Sequence, residues 1–460
     1  MTKEASRVEH KIIKLSEITR FRLDPEYYQN EFIALEQAIS ATEKERLENI
    51  AIIRSGTTPR DRDDLLEEGV NLLKTNDIRN LPLLTSRSYY KISDETARTM
   101  KATELQPRDV LMNIVGATLD VIGRVAYVPV DFATSNITQA MSLIRVTDAR
   151  FLPEYLFVFL LSKFGNLQAR RLARPTGQYN LNLPEVGSIE IPVLPKSIQY
   201  DIAKTLETIS EKYRTADEKT SLATQLLSDE LGFAHFSWSD GAISVRHSVE
   251  VISEGRFDSE FWQEGYDEIL QRILNYKNGS SRIRDVFKQS AKPHKSVAGE
   301  EYAYVEISDI DVKSGNVTPN NVASFELPAN AKQVLKERSL LASKVRPNRG
   351  AVGIVEDFEG VVVSGALLVL SEDKAINLET LMTYLRLAPI KELLLKFNTG
   401  TSYPTITDEV ILDLLVPLVP KDIQSKIAKL IQESNSAHKN ADQELQNLVS
   451  SLSTRLKIDF

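Results

Sequence analysis

No cysteine occurs anywhere in the 460 residues. That removes disulfide frameworks, thiolate metal sites and cysteine nucleophiles together. Histidine is sparse. His10, His235, His247, His294 and His438 are scattered without ligand spacing, which argues against a metal centre. No apolar run approaches the roughly 20 residues of a membrane span. The longest candidate, Tyr155 to Ser162, reads YLFVFLLS and fits a short buried helix. The opening MTKEASRVEHK has no apolar signal region, so the expectation is a cytoplasmic protein. A phosphate loop is also missing. Gly116 to Gly123 (GATLDVIG) lacks the lysine such a loop needs and reads as a turn between strands.

What remains is a globular composition, 42% hydrophobic and 26% charged, in a chain long enough for two or three domains. The net charge is −8. An acidic average argues weakly against nucleic acid, because phosphate contacts need Lys and Arg. The average conceals a local difference. Ala51 to Asn180 holds 17 Lys/Arg against 14 Asp/Glu, whereas Lys196 to Asp240 holds 5 against 8. A mildly basic globular part is followed by an acidic segment, which permits DNA binding without demonstrating it.

The chain repeats itself. Leu194-Pro195-Lys196-x-Ile198-Gln199 matches Val419-Pro420-Lys421-x-Ile423-Gln424, and Ile202-Ala203-Lys204 matches Ile427-Ala428-Lys429, both at an offset of 225. Upstream, Arg22-Leu23-Asp24-Pro25-Glu26-Tyr27-Tyr28-Gln29 matches Arg256-Phe257-Asp258-Ser259-Glu260-Phe261-Trp262-Gln263 at 234. Between them, Asp77-Ile78 pairs with Asp309-Ile310 and Gly123 with Gly353. Such slow drift is what two copies differing by small loop insertions produce. The middles match poorly: Asn71 to Asn80 reads NLLKTNDIRN, Tyr302 to Asp311 reads YAYVEISDID. The frame repeats and its contents differ.

Each copy mixes strands and helices. Strand-like runs are Val110–Val115, Val121–Val128, Met141–Val146 and Ile189–Leu194, then Ala303–Ile307, Ala351–Val355, Val361–Leu370 and Leu414–Val419. Helical patterns cover Glu26–Ile39, Leu152–Leu172, Ser259–Asn275 and Leu378–Phe397. The pattern predicts an α+β fold with two repeated mixed α/β domains. Each domain is followed by a segment free of Pro and Gly: from Pro195 to Gly232, and from Pro420 onward. Small or apolar residues fall at Ile423, Ile427, Leu430, Ser434, Ala437, Ala441, Leu445, Leu448 and Leu452, close to a heptad seam. Ile198, Ile202, Leu206, Ile209, Tyr213, Ala216, Ala223, Leu227 and Leu231 do the same in the first copy. Glu207, Glu211, Asp217 and Glu218 fall on the exposed side of that pattern. A helix of about 35 residues spans on the order of 50 Å and cannot bury its seam alone. Its simplest partner is its own repeat, in an antiparallel pair. Packing of each helix onto its own domain is the alternative.

This arrangement resembles the specificity subunit of type I restriction–modification systems. The resemblance covers essentially the whole chain. It rests on the doubled junction, here Thr176 to Ala203 and Thr399 to Ala428, on Ser55-Gly56-Thr57-Thr58-Pro59, and on the two-domain, two-helix order. The second copy has no recognisable Ser-Gly-Thr-Thr-Pro. The resemblance implies target recognition domains at 1–195 and 239–418, with spacer helices at 196–238 and 419–460 forming an antiparallel coiled-coil spacer with pseudo-two-fold symmetry. Each domain would read one half of a bipartite, asymmetric site in double-stranded DNA. The helices would fix the spacing and dock two methyltransferase subunits, with motor–nuclease subunits joining. The chain itself would be non-catalytic and without cofactor; S-adenosylmethionine, ATP and Mg would belong to partner subunits. A partner fusing methyltransferase and nuclease is a variant of this reading. A scaffold that joins two proteins and binds no DNA is its rival.

The residues agree with a non-catalytic role, since neither Asn-Pro-Pro-Tyr nor Asp-Pro-Pro-Tyr occurs. Asp61-Arg62-Asp63-Asp64 reads as a charged loop rather than a metal site. Phosphates need Lys, Arg, hydroxyls and amides, and base edges need Arg, Lys, Asn or Gln. In the first domain the turn-prone loops with such groups hold Arg54, Thr57 and Arg60; Lys74, Asn76 and Arg79; and Arg174, Gln178, Tyr179 and Asn180. In the second they hold Lys292 and Lys295; Lys344, Arg346, Asn348 and Arg349; and Thr401, Ser402 and Tyr403. For any one of these, an ordinary solvated loop is the competing explanation. As sets they favour DNA, with Lys344 to Arg349 the strongest.

Overall fold

The computed structural model describes residues 22, 24–59, 66, 68–83, 89–175, 177–234, 236–238, 244–372, 375–398 and 403–458. By internal contacts the chain divides into two units. One comprises Met1–Glu211 with Ala441–Phe460, the other Lys212–Asn440.

In the first unit a five-stranded sheet runs in the order Ala51–Ser55, Met141–Val146, Val110–Asn113, Val125–Tyr127, Leu81–Pro82. Val110–Asn113 is buried along its length, the mark of a central strand covered on both faces. A second sheet sets Val70–Leu73 antiparallel to Tyr90–Ile92 and parallel to Ser135–Ile137. The apolar YLFVFLLS run becomes helix Pro153–Leu161, with Pro153 at its start. Lys163–Leu172 follows it. The expected single helix over Leu152–Leu172 therefore breaks at Ser162, whose hydroxyl donates to the Phe159 carbonyl at 2.6 Å and competes with helix continuation. Arg108 holds Glu154 through two bonds of 2.8 Å, and the Tyr127 hydroxyl donates to it at 2.7 Å. Burial pushes the Glu154 carboxyl up, but these hydrogen bonds outweigh it and hold it below its ordinary value.

The second unit repeats the pattern. Glu301–Val305 is antiparallel to Asn320–Ala323 and parallel to Val361–Ser364. Phe287–Gln289, Leu367–Glu372, Ser339–Ser343 and Val352–Val355 form its other principal sheet. The expected strand Val361–Leu370 is two strands that join different sheets. The helical pattern Leu378–Phe397 divides into Leu378–Leu385 and Ala388–Leu395, because Pro389 has no amide to continue the first ladder. Glu26–Ile39 and Ser259–Asn275 likewise open as 3-10 turns, Pro25–Tyr28 and Ser259–Trp262, ahead of helices Asn30–Ser40 and Glu264–Leu274. Val121 to Gly123 is turn, so the strand there shrinks to Val125–Tyr127.

The repeated residues are fasteners. Arg22 grips Asp24 through two 2.7 Å bonds, as Arg256 grips Asp258. Asp77 accepts from the Lys74 amide at 2.7 Å and Asp309 from the Glu306 amide at 2.8 Å, each closing its own turn. Tyr155 donates to the Pro192 carbonyl and Tyr384 to the Leu415 carbonyl, tying a buried helix to the last strand. Gln199 and Gln424 are 0% and 2% exposed. The Gln199 carboxamide accepts from the Leu152 amide and donates to the Arg150 and Leu194 carbonyls. Gln424 accepts from Asn377 and donates to Ala375 and Val419. The doubled junction exists because each long helix is pinned to the strand before it by one glutamine.

Those helices are Lys196–Glu230 and Lys421–Ser450. A short helix, Leu452–Leu456, follows the second, so the expected uninterrupted run stops at Ser450. Gln424, Ile427, Ile431, Ser434, His438, Ala441, Leu445 and Leu448 are buried on the second helix, and Leu452 on the short one after it, at steps of three and four. The expected seam is thus corrected at three positions: Ile423, Leu430 and Ala437 are only half-buried, and Gln424, Ile431 and His438 take the inner places. Gln199 and Thr220 are likewise inside on the first helix. Glu207, Glu211 and Glu218 are exposed. Asp217 is not: it is 3% exposed and pairs with Lys313 at 3.3 Å and with His438 at 3.7 Å.

Within Lys212–Asn440 the helices meet directly. The rings of Tyr213 and His438 stand 5.7 Å apart. Ser434 donates to the Ala216 carbonyl at 2.7 Å, Thr220 and Ser434 share a 2.8 Å bond, and Lys219 pairs with Glu433 at 2.6 Å. As numbers rise on one helix they fall on its partner, so this stretch is antiparallel. Ala223, Leu227, Ile427 and Ile431 then merge with the core around Ile269, Leu340 and Leu381. Helix pairing and packing on a domain, posed above as alternatives, both occur in this unit.

Candidate nucleic-acid interface

In the first unit, the backbone brings the three candidate loops to one end of the sheets. Strand Ala51–Ser55 delivers Gly56 and Thr57, whose amides donate to Met141 and Ile137. Thr138 donates to Leu73, just before the Lys74 turn. The Asn113 side chain donates to the Thr75 carbonyl at 3.0 Å. Strands Arg174–Pro175 and Tyr179–Asn180 form a hairpin that pairs with Val115–Gly116. A Cβ on Gly56 would lie 2.0 Å from the Ile137 carbonyl oxygen, so only glycine lets these backbones meet.

The side chains there differ in availability. Arg54, Thr57, Asn76, Arg79 and Gln178 are exposed. Arg54 donates to the Ala102 carbonyl at 3.0 Å, and Arg79 to the Asn76 carbonyl at 3.4 Å. Lys74 places its ammonium 3.6 Å from the Tyr90 ring centre. Arg174 bonds Glu185 at 2.7 Å, while half of its side chain faces solvent. Tyr179 and Asn180 are half-buried in the hairpin. Arg60 lies outside the described residues, as do the Asp61–Asp64 loop, Thr176, His10 and His235.

In the second unit, Lys344 to Arg349 and Tyr403 come together. Arg346 sits at φ +50° and its amide donates to the Pro404 carbonyl at 2.7 Å. Ile406 donates back to Lys344 at 2.9 Å. The Arg346 guanidinium lies 5.7 Å from the Tyr403 ring centre, so an exposed planar cation is steadied by an exposed ring. Arg349 is exposed and Asn348 half-buried. Lys344 is committed to Asp408 at 2.7 Å. Lys292 and Lys295 are exposed, but Lys292 belongs to a different sheet, paired with Ala331–Val334. Thr401, Ser402, Thr399 and Gly400 lie outside the described residues.

The topology also supplies the counterpart that the second copy lacked in sequence. Ala51–Ser55 follows the short helix Leu47–Ile50 and pairs with Met141–Val146. Phe287–Gln289 follows Ile283–Val286 and pairs with Leu367–Glu372. Ser290-Ala291-Lys292-Pro293 therefore stands where Ser55-Gly56-Thr57-Thr58-Pro59 does, one residue shorter. Reading by residue identity missed it. So did it miss Arg386 and Lys391, cations placed on what the pattern showed only as a core helix.

Among the described residues no group of His, Asp or Glu has metal-holding geometry, and no helix is long and apolar enough to cross a membrane. The chain is similar in structure to the S subunit of a type I restriction-modification system from M. genitalium: 12% identity, 90% of this chain and 94% of that one, TM-score 0.39. It is also similar to the HsdS subunit from Thermoanaerobacter tengcongensis: 15% identity, 91% and 97% coverage, TM-score 0.29. The assignment rests on the family model described as "Type I restriction modification DNA specificity domain", which matches residues 40–223 and again 276–447. Two matched stretches, one per repeat and together most of the sequence, place this chain in the type I restriction–modification DNA specificity domain family.

Proposed function

We propose that this chain is the DNA sequence-specificity subunit of a type I restriction–modification enzyme, non-catalytic and without cofactor. Each repeat reads one half of a bipartite, asymmetric duplex site. The two long helices act as an antiparallel coiled-coil spacer that sets the distance between the halves. They also dock two methyltransferase subunits, which bring S-adenosylmethionine, and motor–nuclease subunits, which bring ATP and Mg.

One observation carries this reading. The residues common to both copies are backbone fasteners, whereas the exposed cationic loops differ between copies. A shared frame carrying unlike polar loops is what two readers of unlike half-sites require. A partner fusing methyltransferase and nuclease fits the same geometry. A scaffold indifferent to DNA leaves the exposed Arg346 stacked on Tyr403 without a purpose.

The test is a methylome. The chain is co-expressed with its neighbouring methyltransferase in a host lacking adenine methylation, and modified bases are mapped by single-molecule sequencing. A split motif with one modified adenine in each half is expected. A continuous motif refutes the two-reader geometry. Soluble, associated proteins that leave no motif favour the scaffold.

A further inference from the structure

The second unit contains a cavity of about 750 Å³ that the loop reading did not anticipate. One wall is the polar face of the first long helix from Thr220 to Ser228. Facing it are four cations, Lys313, Arg349, Arg386 and Lys391, and the only carboxylate among its lining residues is Asp229.

The charge balance is the anomaly. Lys313 is answered by Asp217 at 3.3 Å. Arg349, Arg386 and Lys391 form no ion pair with any described residue. Arg386 spends one donor on the Val312 carbonyl at 2.8 Å. Burial pushes its guanidinium down to about 10, with Asp311 offsetting only part. Burial lowers Lys391 as well; the charge of Glu392 offsets part of this and that of Arg386 adds to it. Gathering partly desolvated like charges that nearby carboxylates offset only in part, and with which they form no ion pair, costs free energy. The backbone nonetheless makes room for them. A Cβ on Gly350, at φ +71°, would lie 3.1 Å from the Lys391 stem, and one on Gly315 would lie 2.9 Å from an Arg386 terminal nitrogen.

We infer that this cavity is a phosphate-binding site, completed by an anion that the chain itself does not supply. Guanidinium forks, an ammonium and the hydroxyls of the helix wall are the donor set that phosphate oxygens accept from. Arg349 belongs both to the cavity and to the Lys344–Arg349 loop, so the phosphate is that of a DNA backbone whose bases the loop reads. This rests on the DNA reading above. It adds that the spacer helix is part of the DNA-binding wall, and that Arg386 and Lys391 grip DNA whatever its sequence. A free nucleotide offers the same phosphate chemistry from another source.

The test uses the full chain, a fluorescent 30-base-pair duplex without a recognition site, and a salt series. Lys391→Gln and Arg386→Gln are each expected to weaken binding about three- to tenfold and to lower the slope of log K against log salt by about one. Lys391→Gln is half-exposed and serves alone if Arg386→Gln fails to fold, as judged by its unfolding midpoint. Unchanged affinity and slope in a folded variant, beside a wild type that binds, overturn the inference and leave the DNA reading standing. A wild type that binds no duplex overturns both. ATP that displaces duplex from the wild type, and binds neither variant, supports the phosphate site and assigns it to free nucleotide.

Discussion

Replacing Gln424 by leucine removes the second junction fastener at nearly constant volume. Three bonds disappear: from the Asn377 amide at 3.0 Å, and to the Ala375 and Val419 carbonyls at 2.9 and 2.8 Å. Gln424 is 2% exposed, so water cannot replace them without opening the junction. The Ala375 carbonyl keeps the Lys421 ammonium at 2.9 Å, so two groups are left unsatisfied; at about 1 to 1.5 kcal/mol each, the loss is about 2 to 3 kcal/mol. The chain's two tryptophans, Trp238 and Trp262, both lie in the same unit as Gln424. Their fluorescence therefore reports that unit during urea unfolding. With a slope of about 3 kcal/mol per molar, the midpoint should fall by about 0.7 to 1 M. Gln199→Leu makes the matching cut in the other unit and should leave the tryptophan transition in place while circular dichroism shows an earlier loss of helix. A Gln424→Leu midpoint within about 0.2 M of wild type refutes the fastener argument. An equal tryptophan shift from Gln199→Leu refutes its locality.

Glu154→Gln should cost about 1.5 kcal/mol near neutrality by circular dichroism, since it weakens a charge-assisted pair between the buried Glu154 and the partly exposed Arg108. Glu154 titrates below its ordinary value of 4.5 when folded, so its contribution is present above that pH and is lost as pH falls; the wild-type advantage should vanish in acid. Asp217→Ala leaves Lys313 and His438 facing a buried void and should cost about 3 kcal/mol in the tryptophan transition, whereas the exposed Glu218→Ala should cost under about 0.5. Arg346→Ala should weaken binding of the cognate duplex by about 1 to 3 kcal/mol and relax preference in one half-site only, read by competition binding. Inserting seven residues into Lys196–Glu230 should change the spacer of the methylated motif and leave both halves intact.

The sequence disclosed the α+β class, the repeat and the two long helices, because those depend on periodicity, breakers and repeated residues. The heptad register was read one place off at Ile423, Leu430 and Ala437. Pattern reading puts apolar residues inside, while the chain spends inner places on Gln424, which bonds the Ala375 carbonyl, and on His438, which stands beside Asp217, partners distant in sequence. Asp217 was assigned to solvent for the same reason; Lys313, which answers it, lies almost a hundred residues on. The candidate loops were legible as sets, since turn residues and cations fall together at Lys344 to Arg349. Arg386 and Lys391 were not, because a cation on an apolar helix gives no sign of which cavity the fold will turn it toward. Helix breaks at Ser162 and ahead of Pro389 are local chemistry that a longer apolar period masks.

The glutamine fasteners and the heptad seam together impose an angular condition on any change of length. A helix held at its start and keyed along a seven-residue seam can be lengthened without losing the seam only in whole heptads, which turn its face by about 20°. Each heptad adds about 10.5 Å, the rise of roughly three base pairs at 3.4 Å each. Three base pairs rotate a duplex of about 10.5 per turn by roughly 100°. Under the function proposed above, protein and DNA are two screws of unlike pitch, and lengthening one against the other throws the reading faces out of phase by most of a right angle. Spacer length is then a vernier: the lengths that work are those where the two pitches coincide closely enough for DNA twist to absorb the remainder.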